Sequence, residues 1–198
     1  MDKHIVFKGN KLTRTRIKNN ILRIYMQGNK YQDNDWYQDA HKYAQYLSEQ
    51  SGLPTIVTSG IISALSPQTA WDYNKRIALQ FVRDKDCGQT NANKNKAMQI
   101  YNSGFDIDTV KRILNGNKTK SFFDNIFRPA NSNAVTIDRH AISIALGRRC
   151  KDNEQQLTTK QYDWFADCYR WVAKQLGMRP SMLQSITWET WRDVNNIG

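Results

Sequence analysis

The chain is short of cysteine, histidine, proline and acid, and each shortage excludes something. Three cysteines, Cys87, Cys150 and Cys168, are an odd number without C-x-x-C spacing, so neither a disulfide framework nor a zinc site is expected. His4, His41 and His140 stand far apart with no H-E-x-x-H company, which argues against a histidine metal site. No metal and no cofactor are expected. No apolar run approaches the roughly 18 residues a membrane span requires, and the leading MDKHIVFKGNK lacks the apolar stretch of a signal peptide. The expected state is a cytoplasmic monomer without a membrane partner. All four prolines, Pro54, Pro67, Pro129 and Pro180, fall where a helical pattern starts or breaks.

What the chain has in excess is positive charge. Against 18 acids stand 29 Lys and Arg, a net +11 over 198 residues. Residues 1–30 hold eight of those bases, Lys3, Lys8, Lys11, Arg14, Arg16, Lys18, Arg23 and Lys30, beside the single acid Asp2. The remainder is nearly balanced. Such a segment suits a polyanion with repeating phosphates, because each contacted phosphate releases counterions; a solvated helix face that aids solubility is the plainer reading. On the first reading, deleting the segment should weaken DNA binding without abolishing chemistry.

Apolar spacing is helical almost throughout, with no convincing alternating strand pair. The pattern predicts helices over about 12–27, 34–50, 55–65, the stretch TAWDYNKRIALQFV, then 94–101, 107–114, 118–127, the stretch TIDRHAISIALG, a long helix capped by Thr158, and a last helix opening at Pro180. The fold class is all-α. Tyr43, Tyr46, Trp164, Trp171, Trp188 and Trp191 recur at helical spacing and are read as core rather than as a base-stacking platform.

Two stretches ask for more than packing. In ILNGNKTKSFFDNI a helix ends, the chain turns through Asn115, Gly116 and Asn117, and a new helix starts at Lys118. A tight turn of this kind exposes backbone N–H groups to an anion such as a DNA phosphate. In AVTIDRHAISIALG, Asp138 stands at the first turn of an apolar helix, where it is at least an N-terminal cap. Lys118 lies twenty residues before Asp138.

Together these stretches resemble the helix-hairpin-helix DNA glycosylase superfamily, the endonuclease III and 8-oxoguanine glycosylase group. That family carries a hairpin of the type L-P-G-V-G-x-K-T-A with a catalytic lysine, and a V-D-T-H sequence some twenty residues later with a catalytic aspartate. Gly116-Asn117-Lys118-Thr119 is similar to the G-x-K-T half, and Ile137-Asp138-Arg139-His140 to V-D-x-H. ISALSPQTAWDYN resembles the L-L-S-A-Q-x-T-D-x-x-V-N helix pair, whose Gln reaches into the DNA at the lesion; Gln68 is the matching position. NANKNKAMQIYNSG resembles the helix before the hairpin.

The resemblance implies a two-lobed glycosylase-like fold with a degenerate helix-hairpin-helix: residues 52–128 as a central lobe carrying the hairpin, residues 1–51 with 129–198 as the other. It implies an enzyme acting on double-stranded DNA, flipping and removing a damaged or modified base, with AP-lyase activity through a lysine Schiff base. Lys118 and Asp138 would be catalytic, and Gln68, Asn115, Gly116 and Asn117 would contact DNA. Burial in the cleft between lobes would help deprotonate Lys118. Lys120 is a rival nucleophile, and His140 is read as structural. Leu114 stands where the family has its first hairpin glycine and Ile113 where it has proline; the four-cysteine iron–sulfur loop is missing. The small size and Asn and Lys richness fit a phage or mobile-element version. The alternatives are a non-catalytic nucleic-acid-binding protein on the same fold, and a related enzyme working on RNA or free nucleosides.

Overall fold

In the computed structural model, residues 4–32 and 35–197 are described. They form ten α-helices and one two-stranded sheet, and divide into two units: residues 1–36 with 132–198, and residues 37–131.

The first unit opens with a strand pair that helical periodicity did not predict. Strands β1 (His4–Phe7) and β2 (Asn10–Thr13) pair antiparallel, Ile5 opposite Leu12 and Phe7 opposite Asn10. Lys8 and Gly9 both take positive φ, 47° and 81°, the backbone of a two-residue turn whose twist matches paired strands. Each strand is four residues long, too short for alternation to stand out, yet Ile5, Phe7 and Leu12 are buried while Val6 is exposed. Phe7 meets Phe165 edge-on at 5.4 Å.

Helix α1 (Arg14–Gln27) follows, capped by Thr13, whose Oγ1 accepts from the Arg16 N–H at 3.2 Å. It buries Ile17, Ile21, Ile24 and Tyr25 and stops at Gly28, where a Cβ would run into Thr190. The leading segment is therefore no detachable arm. Its apolar residues are part of the core, so deleting residues 1–30 would unfold this unit rather than strip phosphate contacts.

After the second unit the chain returns through α8 (Arg139–Leu146), α9 (Thr159–Gln175) and α10 (Pro180–Val194). Phe165, Tyr169, Leu183, Ile186 and Trp191 complete the core with α1. The Tyr169 hydroxyl, its ionisation disfavoured by complete burial, donates to Ala141 O at 3.2 Å. Thr158 caps α9 reciprocally with Gln161, and Pro180 occupies the first turn of α10.

The second unit holds α2 (Trp36–Ser51, all but its first residue), α3 (Thr55–Leu65), α4 (Trp71–Asp84), α5 (Asn91–Ser103), α6 (Ile107–Leu114) and α7 (Asn117–Phe127). Helix α3 is central: residues 57–65 are all buried, and Gly60 sits so close to Ile100 and Val110 that a Cβ would lie 2.8 and 3.0 Å from their methyls. Helix α2 goes with this unit, not with the terminal one to which residues 1–51 were assigned. Its ties explain why: Thr58 Oγ1 donates to Ala44 O at 2.7 Å, Tyr43 Oη to Lys75 O at 2.7 Å, and His41 Nδ1 lies 2.8 Å from Ile126 O. Asn34, the expected start of α2, lies outside the described residues.

Not all the helical aromatics are core. Trp191 is buried and Tyr43, Trp164 and Trp188 are half-buried, but Tyr46 and Trp171 are exposed. Among the described residues no helix is long and apolar enough to cross a membrane.

Candidate functional site

Helices α6 and α7 form a helical hairpin about a two-residue turn. Asn115 ends α6 in the left-handed region, φ 62°, and its N–H donates to Lys111 O at 3.1 Å. Lys96 Nζ reaches over from α5 to Leu114 O at 3.2 Å, placing a cation on the negative end of α6. An ion pair of 2.6 Å from Lys111 to the half-buried Asp124 ties the two helices together, and Arg128, at the end of α7, holds the same carboxylate from one turn on at 3.1 Å.

Gly116 caps α7 with φ −80° and ψ 140°, a backbone any residue adopts. A Cβ there would meet only Thr119 Oγ1, at 3.3 Å, and no side chain of the capping position accepts from the first turn. Conformation does not require glycine at 116, and the crowding a Cβ would meet is confined to the Thr119 hydroxyl; the positive φ falls on Asn115 instead. Thr119 turns its hydroxyl back to Gly116 O at 3.0 Å. Asn117 is half-buried, Lys118 is exposed and Lys120 is half-buried. The burial expected for Lys118 is thus not found, because α7 buries its far side, Phe123, Asn125 and Ile126.

Gln68 lies in the connection from α3 to α4 with φ 61°, a left-handed backbone that a residue with a Cβ adopts at a cost of roughly 1–2 kcal/mol. The loop is held from beneath: Gln89 Nε2 donates to Leu65 O at 2.9 Å and Pro67 O at 3.3 Å, and Thr69 Oγ1 to Ser66 O at 2.8 Å. The Gln68 side chain itself is exposed and makes no hydrogen bond among the described residues. Gln89 gives no sequence signal of this role, since it lies more than twenty residues from the carbonyls it holds.

Asp138 is the N-cap of α8, its Oδ1 accepting from Ala141 N at 2.8 Å. The carboxylate is half-buried, and Oδ2 takes no hydrogen bond from the described residues. Residues 135–137 leading into it are buried and belong to no helix or strand among the described residues, so side chains satisfy their backbone. Tyr162 Oη donates to Val135 O at 2.8 Å and accepts from Ile137 N at 3.1 Å. Gln184 accepts from Thr136 N at 2.8 Å and donates to Thr136 O. These two residues, from α9 and α10, set where Asp138 sits. The only sequence signal for Gln184 was a polar residue on a helix face otherwise filled by Leu183 and Ile186. His140 is buried, its ring edge-on to Trp188 at 5.6 Å.

Gln68, Asn115, Gly116, Asn117 and Lys118 all belong to the unit of residues 37–131, whereas Asp138 belongs to the other. No group of three His, Cys, Asp or Glu among the described residues could hold a metal ion. The cysteines are free; burial pushes the Cys87 and Cys150 thiols upward, and Asp86 adds to the effect on Cys87, so neither favours the thiolate.

Ten described helices in two units, one carrying a helical hairpin and the other a buried helix capped by aspartate, define an all-α protein of discontinuous architecture. The chain belongs to a family of unknown function, DUF7178, whose model matches residues 3–195. Comparison with curated proteins and with solved structures gives no match.

Proposed function

We propose that the protein is a DNA glycosylase-like enzyme on a two-lobed helix-hairpin-helix fold, removing a damaged or modified base from double-stranded DNA. The observation that carries this reading is Gly116. Its backbone is one alanine also adopts and a Cβ would press only on the Thr119 hydroxyl, so what the glycine leaves open is the outer side of a helix start, which favours an anion. The order of features supports the same reading: a strained, exposed Gln68, then the hairpin, then Asp138 twenty residues beyond Lys118.

In the proposed reaction the Lys118 amine attacks the sugar C1′ of a flipped nucleotide as the glycosidic C–N bond breaks and its electron pair leaves with the base. The resemblance assigns to Asp138 the roles of proton acceptor and of stabilising positive charge on the sugar. A proton delivered to O4′ opens the ring to a Schiff base, and loss of the C2′ proton to water as the C3′–O bond breaks and the 3′ phosphate departs cleaves the strand.

One observation favours the second reading, a non-catalytic nucleic-acid-binding protein: the exposure of Lys118 itself. Borohydride trapping on a duplex containing an abasic site separates the two. The enzyme reading expects a covalent adduct that is lost in Lys118→Ala and kept in Lys120→Ala. Salt-sensitive duplex binding with neither adduct nor base release from modified DNA would leave the binding protein.

A further inference from the structure

Trp171 is the largest apolar side chain left in solvent, 47% exposed on a helix whose other face is core. The Lys18 ammonium lies 3.8 Å from the centroid of its ring. One turn back on α1 and two turns back on α9, the Arg14 guanidinium lies 4.2 Å from the Trp164 ring. Where α1 and α9 run side by side, a groove of about 270 Å³ opens, lined by Lys18, Asn19, Leu22, Trp171, Gln175 and Leu176 among others. That is just under the roughly 300–1,000 Å³ of pockets for larger ligands and suits one planar ring.

The chemistry of the lining is specific. Leu22 and Trp171 give it apolar walls in partial exposure, and Met26 continues the stripe along α1 at 65% exposed. The side-chain amides of Asn19 and Gln175 make no hydrogen bond among the described residues and stand at the groove as paired donors and acceptors. Its charge has one sign. Helix α1 carries Arg14, Arg16, Lys18 and Arg23 and no acid, and the groove lining contains no acid either. Asp167, one turn before Trp171 on α9, is already held by Arg14 at 3.2 Å and Arg170 at 2.9 Å.

We propose that this α1–α9 groove binds an unpaired base of single-stranded nucleic acid, stacked on Trp171 and read by the Asn19 and Gln175 amides, with Lys18 on a flanking phosphate. A base has the flat apolar face that the groove fits, and its strand has the negative charge that the acid-free helix favours; an apolar protein segment would match only the first. A phosphate that draws Lys18 off the ring exchanges a cation–aromatic contact for stacking, so the groove opens as the strand binds. The proposal goes beyond the enzymatic reading, because it stands on residues 1–36 and 132–198 alone and holds equally for a protein without chemistry.

The test is fluorescence anisotropy with a labelled oligothymidine strand and with a strand of the same length and charge built of abasic residues. The full chain should bind oligothymidine more tightly. Trp171→Ala should lower that affinity roughly 5- to 100-fold and erase the preference over the abasic strand, while Trp171→Phe keeps most of both. Trp171 is exposed, so unchanged melting temperature and circular dichroism establish that the variants fold. Lys118→Ala should leave the preference intact, so loss of trapping and loss of base stacking are separable failures. Equal binding of the two strands, or Trp171→Ala indistinguishable from the parent, overturns the proposal; failure to bind either strand also overturns it and leaves a protein segment as the occupant.

Discussion

Asp138 holds two jobs at one position, and they can be separated. As the N-cap of α8 it accepts from Ala141 N, a task that asparagine performs about as well. Asp138→Asn should therefore change stability by less than about 0.5 kcal/mol, whereas Asp138→Ala should lose about 1 kcal/mol. If the carboxylate also serves as base, both variants should lose roughly 10²- to 10⁴-fold in base release, since the amide cannot take a proton. Thermal melts beside a single-turnover release assay read the two effects apart; full activity in Asp138→Asn would reduce the residue to a cap. The clamp behind it shows how far a residue's role depends on others: Val135, Thr136 and Ile137 keep their backbone satisfied only through Tyr162 and Gln184.

At the scale of elements, the hairpin of α6 and α7 is built by ordinary means. A left-handed Asn115 stops one helix, the Lys111 pair with Asp124 holds the two together, and Lys96 covers the freed carbonyl of Leu114. Gly116 is the exception, since nothing in the element demands it. Gly116→Ala should leave the melting temperature unchanged or raise stability by about 0.4–1 kcal/mol, because alanine restricts the unfolded chain. The same change should weaken duplex binding several-fold in a titration at fixed salt. Duplex affinity equal to the parent's would remove the hairpin from the interface.

For the whole molecule, the loop after α8 holds a strongly shifted buried carboxylate. Glu154 is buried after α8, its carboxylate held by both terminal nitrogens of Arg148 at 2.8 and 2.6 Å and by Lys151 N at 2.7 Å. The Arg148 bonds pull its carboxyl from the ordinary 4.5 down to about 2. Unfolded chain takes up that proton at higher pH than folded chain does. The contribution, on the order of 2 kcal/mol, is therefore complete above about pH 5 and is lost as pH falls from about 4.5 toward 2. Melting temperature measured from pH 6 to pH 2.5 should fall more steeply for the parent than for Glu154→Gln; parallel curves would contradict the assignment.

Much was legible in the residues alone, because the signals are local. The length and small residues of an apolar run marked α3 over 55–65, helical spacing marked α6 over 107–114, and Thr158 and Pro180 declared the starts of α9 and α10 by cap chemistry that needs only three or four neighbours. Asp138 was a readable cap for the same reason. What depended on distant partners was not legible. The β1–β2 hairpin is stabilised by Phe7 against Phe165, a residue more than 150 positions away, and α2 joins the central unit through Ala44, Tyr43 and His41, whose partners lie up to 85 positions on. Exposure followed the same rule: spacing placed Trp171 on a helix face with core residues, but only the packing of α1 beside α9 decided that its ring stays in solvent under Lys18. The sequence determined which residues cap, turn and carry charge, since those properties belong to a residue and its near neighbours. The tertiary structure decided which of them are buried, clamped or left exposed, because burial is a property of surfaces that meet only once the chain has folded.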